Sequence, residues 1–308
     1  MENVIDCVII GSGPAGYSAA IYLGRSNIKH YIYTGDIPGG QLINTTIVEN
    51  YPGFSKGILG INLMNEMYKQ AIKFGTIVKN NKILKVLFSN KKKHILYTNK
   101  NEKIITKSVI IATGSLPKNL KIKNEKKFLG FGISYCATCD GMIFKKKNVA
   151  VIGGGNTALE ESIFLSRICK IIYLIVRKNR FKASKYLQKK IYKIKNIKIL
   201  FNTTISKFIG NKKLKYINLL NNNNIKKKKI SGVFIAIGYY PNTLIFKNQI
   251  KMDKKGYIIT DYKSTKTNKP GIFAAGDVQD NKYRQAITSA GSGCMSALEV
   301  EKYLLNYL

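Results

Sequence analysis

Residues 4–27, VIDCVIIGSGPAGYSAAIYLGRSN, decide how the rest of the chain is read. An apolar run leads into Gly11-Ser12-Gly13-Pro14-Ala15-Gly16, and a helical stretch rich in small residues follows. That order is strand, glycine turn, helix. In such a unit Gly11 allows the tight turn and Gly13 lets a pyrophosphate approach the backbone. Gly16 lets helix and strand pack closely, with the phosphates at the helix amino end. A bare G-x-G-x-x-G carries little weight; the flanking strand and helix make this one a dinucleotide-binding turn.

The same grammar returns at residues 146–168, KKNVAVIGGGNTALEESIFLSRI, where Gly153, Gly155 and Ala158 take the three places. A second echo links SVIIATGSLPKN (108–119) with GVFIAIGYYPNT (232–243), each an apolar strand, a glycine turn, two residues and then a proline. Each glycine-rich opening therefore has its own closing strand, which predicts an α/β fold of two nested Rossmann-like domains. The two halves differ at the expected ribose position. IIYLIVRKNRFKA (171–183) ends its strand at Arg177 and Lys178, with Lys182 close by, and cations there suit a 2′-phosphate. KHYIYTGD (29–36) ends at Thr34-Gly35 and selects no particular dinucleotide. Near the carboxy terminus, PGIFAAGDVQD (270–280) sets Gly276-Asp277 after a strand and before a helical run; such an Asp can hold a polyol hydroxyl or cap the helix.

Composition bounds the remaining possibilities. The 308 residues suffice for more than one domain, and 45% hydrophobic content is ordinary for a globular chain. No apolar run approaches the roughly 18 residues of a membrane span. MENVIDCVIIGSG enters a strand pattern at once, without a basic leader or cleavage site, so a cytoplasmic protein is expected. Five cysteines without an export signal make a structural disulfide framework unexpected. The net charge of +36, from 52 basic and 16 acidic residues, would suit a polyanion binder. Stretches such as NNKILKVLFSNKKK and NNNNIKKKKI instead join Lys to Asn and Ile, the signature of A+T-biased coding, and no recognition motif accompanies them. No specific nucleic-acid partner and no membrane partner is expected.

GSGPAG, GGQL (39–42), VENYPG (48–53), IIATG (110–114), CATCDG (136–141), VIGGGNTA (151–158), FAAGDV (273–278) and YRQAITSAGSGCMSAL (283–298) occur in one order. Together they resemble the bacterial low-molecular-weight thioredoxin reductases, from about residue 5 to the end. The resemblance implies FAD held by residues 1–117 and 244–308, with an NADPH domain, 118–243, inserted between. It implies that Gly11, Ser12, Gly13, Pro14, Ala15 and Gly16 cradle the FAD pyrophosphate, with Thr34 and Gly35 beside them. Gly40, Gln41, Leu42, Asn50, Ala112, Thr113 and Gly114 belong to the same flavin set. Gly276 and Asp277 would meet the ribitol, and Arg284, Gln285 and Ala286 would open the helix facing the isoalloxazine. Gly153, Gly155, Asn156 and Thr157 would take the NADPH pyrophosphate, and Arg177, Lys178 and Lys182 its 2′-phosphate. It also implies a homodimer, thioredoxin as partner, and rotation of the inserted domain about connections containing Pro117 and Pro241. Two places depart from the family pattern. Val176-Arg177-Lys178 stands where His-Arg-Arg is usual, so a looser clamp is expected, since Lys lacks the flat fork of Arg. Phe131 stands where the family often has Arg, which predicts weaker partner docking.

The pair in ISYCATCDG (133–141) could in isolation hold a metal, close a static disulfide or relay electrons. A structural zinc needs four ligands. The chain has no second C-x-x-C, and its two histidines, His30 and His94, lie far from the pair in sequence, so no metal is expected. A static disulfide is poor in a reducing compartment. Within the resemblance, Cys136 and Cys139 are the redox pair: Cys139 is the flavin-proximal thiol, Cys136 engages the partner, and Asp140 handles the proton. A dithiol oxidase on the same fold would not need the second glycine turn, and a polyanion binder would need neither turn nor CATCD.

Overall fold

The computed structural model describes residues 4–45, 47–90 and 93–307. The chain divides into two compact units: the first takes the residues up to Leu116 and from Tyr240 on, and Pro117–Tyr239 forms the second. The inserted segment therefore starts one residue before the expected 118 and ends at 239 rather than 243. The reason at the later crossing is Asn242, whose N–H donates to Gly114 O at 3.0 Å and whose amide donates to Thr113 O at 2.9 Å, holding it to the first unit.

The first unit opens with β1 (Val4–Ile10), α1 (Pro14–Arg25), β2 (His30–Tyr33), α2 (Gly60–Lys73), β3 (Ile77–Lys79), β4 (Ile83–Leu87), β5 (His94–Thr98) and β6 (Lys103–Ile111). Parallel pairing runs β3–β2–β1–β6, and β5 and β4 extend the sheet antiparallel. Cys7 and Ile9 face the cluster built by α1 and α2, while Val8 and Ile10 face the opposite cluster with Phe246 and Ile258. Burial on both faces is why 4–10 reads as a nearly unbroken apolar run. Each such Val or Ile contributes roughly 1.5–3 kcal/mol by leaving water.

In the second unit, β7 (Ile133–Ser134) precedes α3 (Ala137–Asp140). Then come β8 (Asn148–Ile152), α4 (Asn156–Ser166), β9 (Ile171–Ile175), α5 (Lys185–Tyr192), β10 (Ile197–Leu200), β11 (Thr203–Gly210), β12 (Leu214–Asn221), β13 (Asn224–Lys229) and β14 (Gly232–Ile235). The sheet, ordered β7-β14-β8-β9-β10, is parallel throughout. Val149 and Val151 pack under α4, and Ala150 and Ile152 pack on the antiparallel sheet β11-β12-β13. Lysines 226–229 occupy β13, the outer strand of that sheet. Lys227 stacks over Tyr216 and Lys228 over Tyr173, so much of the basic excess here blunts an exposed strand edge.

The chain returns to the first unit with β15 (Ile272–Ala274), parallel to the carboxyl half of β6, and α6 (Ala286–Leu305), which packs along α1. Among the described residues no helix is long and apolar enough to cross a membrane.

Candidate active site

In the first unit the glycine turn is shaped by the strand that closes it. Gly11 has φ +107°, and a Cβ there would lie 2.3 Å from Ala112 O, so no side chain fits. Pro14 opens α1, and Gly13 before it brings no capping side chain, which leaves the first N–H groups of the helix to an outside acceptor. A Cβ on Gly13 would meet nothing within 4 Å, so the space over those N–H groups is open. Ser12 Oγ accepts the Gly39 N–H at 3.1 Å and faces Thr34 O, and a Cβ on Gly40 would lie 3.2 Å from Gly13 Cα. The turn, the end of β2 and the 39–44 segment thus form one cradle. Gln41 is exposed on that segment, and Leu42 packs against the α1–α2 cluster with its carbonyl against Gly60.

Gly276 and Asp277 stand at the opening of α1. A Cβ on Gly276 would be 3.0 Å from Ala15 Cβ, and Ser292 Oγ accepts the Gly276 N–H at 2.8 Å. Asp277 accepts hydroxyl bonds from Ser289 at 3.1 Å and Ser115 at 3.4 Å. Burial pushes its carboxyl up to about 6, with Asp280 adding to the rise, while the serine hydroxyls and Arg284 oppose it. A desolvated acid with hydroxyl donors already around it suits a hydroxyl-rich ligand. Asn50 donates to Gln285 Oε1 at 3.1 Å, which joins the 48–53 loop to the start of α6.

The second unit repeats the turn. Gly153 has φ +147°, and its Cβ would lie 2.4 Å from Ala236 O; a Cβ on Gly155 would meet nothing within 4 Å, and α4 too lacks a side-chain cap. Both turns therefore fit a dinucleotide pyrophosphate: open space over unsatisfied helix N–H groups. Here the neighbouring loop is basic. Lys182 N–H and Ala183 N–H donate to Gly154 O at 2.7 and 3.2 Å, and Ser184 N–H donates to Asn156 Oδ1 at 2.9 Å. These bonds bring the 176–184 loop to the turn with Arg177, Lys178, Arg180 and Lys182 all exposed. Val176 is buried in the core instead.

Cys136 and Cys139 are joined as a disulfide. Ser134 Oγ accepts the Cys136 N–H at 3.0 Å and donates to the Cys136 carbonyl at 3.2 Å, fixing the residue that precedes α3. Tyr239 Oη donates to Tyr135 O at 2.6 Å. Burial raises the Asp140 carboxyl above the ordinary carboxylate range, and a Ser134 hydrogen bond opposes the rise. Among the described residues no group of three or more His, Cys, Asp or Glu could hold a metal ion. A partly exposed disulfide, in the same unit as a nucleotide-type turn, can exchange with a dithiol or, once reduced, with another disulfide.

A profile of the pyridine nucleotide-disulphide oxidoreductases matches residues 5–293. The thioredoxin reductase of Buchnera aphidicola subsp. Schizaphis graminum is 48% identical over 99% of this chain and 98% of its own. That of Rickettsia conorii is 45% identical over 99% of both. The chain belongs to the thioredoxin reductase family. Its fold agrees: the Streptococcus pyogenes thioredoxin reductase superposes with a TM-score of 0.94 at 34% identity, covering 99% of this chain and 100% of that one. The Giardia duodenalis thioredoxin reductase gives 0.93 at 33% identity, with the same coverage.

Three residues that border the candidate site escaped the sequence reading. Asn242 lies in the quoted PNT echo, yet only the fold shows it clamped to Thr113 and Gly114, with Thr113 Oγ1 donating back to its carbonyl at 2.8 Å. Asp280 accepts the N–H groups of Lys282, Tyr283 and Arg284 at 2.8, 2.9 and 3.1 Å, and so holds Arg284 in the left-handed region at φ +49°. Arg180 shares the basic loop. An Asp followed two to four residues later by polar turn residues was the available signal for Asp280; for Asn242 there was none beyond the repeat.

Proposed function

We propose that this chain reduces the disulfide of thioredoxin with electrons from NADPH, carried through FAD and the Cys136–Cys139 pair. The Cys136–Cys139 disulfide, in a family member that keeps both glycine turns, is the observation that carries the reading. Bound FAD would supply the two-electron chemistry linking a nicotinamide hydride donor to the disulfide. Gly11–Gly16 and the start of α1 would hold its pyrophosphate, with Thr34, Gly35 and Gly40 around them. Asp277 would hold a ribitol hydroxyl, and Ala112–Gly114, Asn50 and residues 284–286 would border the rest. Gly153, Gly155, Asn156 and Thr157 would hold the nicotinamide dinucleotide, and Arg177, Lys178 and Lys182, joined by Arg180, its 2′-phosphate.

With the pair reduced, the Cys136 thiolate attacks one sulfur of the partner disulfide. A mixed disulfide forms and the partner's second sulfur leaves as a thiolate. Cys139 then attacks Cys136 Sγ, which restores the Cys136–Cys139 bond and releases the partner's other thiolate. Asp140, whose proton burial retains more tightly, exchanges protons with the pair. NADPH-dependent thioredoxin reduction by the yellow protein, with Cys136→Ser beside it, tests this. Activity that vanishes in the variant supports the relay. Flavin reduction without thioredoxin reduction would mean another disulfide partner, and absence of flavin reduction would remove the reading.

The working form is a cytoplasmic homodimer in this reading, through the faces of α1 and α6. A chain of net charge +36 repels its copy except where lysine is sparse. α1 and α6 carry only Arg25 and Lys302 as cations, against Glu299 and Glu301, and leave Tyr22, Met295 and Leu298 exposed. Sedimentation of Leu298→Glu, expected to run as a monomer, checks it.

A further inference from the structure

The two sulfurs of the pair are not equivalent. Cys136 Sγ accepts the Cys139 N–H at 3.2 Å, and Thr138 Oγ1 lies 3.2 Å from the same sulfur. Among the described residues neither contact has a counterpart on Cys139 Sγ. Thr138 is exposed, so its hydroxyl reaches the sulfur from the solvent side, where a partner disulfide must arrive. The two buried thiols of the chain show the opposite environment: burial pushes Cys7 up to about 12 and Cys169 up to about 11.

We infer that Thr138 is a catalytic residue of the exchange: its hydroxyl donates to Cys136 Sγ and stabilises the Cys136 thiolate released when the disulfide is reduced. The inference rests on the proposed relay and assigns its nucleophile from donors present in the chain. Reduction by two electrons breaks the Cys136–Cys139 bond and leaves two sulfurs that share one or two protons. A neutral disulfide sulfur is a weak acceptor, whereas a thiolate is a strong one, so the Thr138 bond strengthens as charge develops on Cys136. The Cys139 N–H adds a second donor that no side-chain change removes. Together they favour charge on Cys136 over Cys139 and keep Cys136 the attacking sulfur near neutral pH. The same bond acts on the return step, when Cys136 accepts attack from Cys139 and the partner thiolate departs. α3 is a single turn, so the effect comes from these two donors and not from a helix dipole.

The first arm of the test needs neither NADPH nor thioredoxin. In the flavin-loaded full-length Cys139→Ser protein, Cys136 is left as a free thiol. Its alkylation by iodoacetamide is followed against pH by mass spectrometry of the Cys136 peptide. Adding Thr138→Val, which keeps shape and removes the hydroxyl, should raise the midpoint of the Cys136 profile by about one pH unit. Thr138→Ser should stay close to the Thr138 profile. An unchanged midpoint in Thr138→Val would overturn the assignment. So would a Ser variant displaced as far as the Val variant, since the γ-methyl and not the hydroxyl would then matter. In the intact pair, Thr138→Val should slow thioredoxin reduction several-fold at pH 7 and recover as pH rises. If thioredoxin is not reduced by any variant yet the alkylation midpoint moves, the partner is wrong and the role of Thr138 stands.

Discussion

The two glycine turns solve one problem with the same part and then diverge. Each first glycine sits under an alanine carbonyl from its own closing strand, Gly11 under Ala112 and Gly153 under Ala236, at 2.3 and 2.4 Å from where a Cβ would be. Each second glycine opens on empty space. The third position differs: a Cβ on Gly16 would lie 2.0 Å from Gly11 O, whereas the second unit accommodates the methyl of Ala158. The surroundings differ more. A largely desolvated carboxyl, Asp277, stands by the first turn, and a loop with four exposed cations is bonded to the second. In the proposed reading the backbone turn supplies a generic anion cradle, and residues brought from elsewhere select the dinucleotide of each unit.

The largest test of that view breaks each turn in isolation. Gly11→Ala should yield a colourless, poorly folded protein, because a methyl meets backbone at a positive φ. Gly153→Ala meets an equal obstacle in the other unit; it should stay yellow but lose flavin reduction by NADPH. Flavin absorbance and its bleaching by NADPH read both outcomes. A colourless Gly153→Ala would show that the units do not act separately.

Next in size is the carboxyl at the first turn. With its proton retained up to about pH 6, Asp277 in the flavin-free protein is a weakened acceptor below that value and an ionised one above it. Flavin binding should therefore release a proton and weaken as pH falls through about 6. Because folding raises this pKa, the flavin-free fold gains from Asp277 at low pH and loses that gain as pH rises from about 4 through 6. Asp277→Asn should bind flavin roughly tenfold or more weakly at pH 8, the scale of a hydrogen bond to a charged group. Its binding should also be flat across that window. A pH dependence unchanged in the variant would assign the titration elsewhere.

At the second turn, Arg177→Ala should raise KM for NADPH about tenfold and leave KM for NADH in place, as loss of one charge-assisted phosphate contact would. Lys178→Arg, which restores a planar fork, should lower KM for NADPH by a few-fold. Equal changes for both nucleotides would place these cations away from the 2′-phosphate.

How much of this the sequence revealed follows from how local each feature is. Strand, turn and helix around Gly11 and Gly153 are short-range patterns, and the repeat of closing strands made the insertion legible. The unit boundary at 239/240 was not, because it depends on which residues Asn242 bonds after folding. Gly276 and Asp277 were readable as a strand end, but their place beside Ala15 joins residues more than 250 positions apart. Asp280 was missed because an aspartate in a polar loop looks like any turn former until its three N–H partners are seen. The inequality of the two sulfurs depends on side-chain direction within a single helical turn, which spacing alone cannot supply.

The smallest test addresses the third position. Ala158 is fully buried, and its methyl would lie 2.8 Å from a Cβ on Gly153. Ala158→Gly puts glycine inside α4 and removes one packed methyl, so it should cost about 1–2 kcal/mol, seen as a lower urea midpoint. NADPH binding should persist, because the cradle is built by Gly153, Gly155 and the helix N–H groups. Nor should Ala158→Gly rescue Gly153→Ala, since the Ala236 carbonyl is the nearer obstacle at 2.4 Å. A rescue would mean that the helix, and not the closing strand, sets the shape of the second turn, and the likeness between the two turns would then be one of sequence alone.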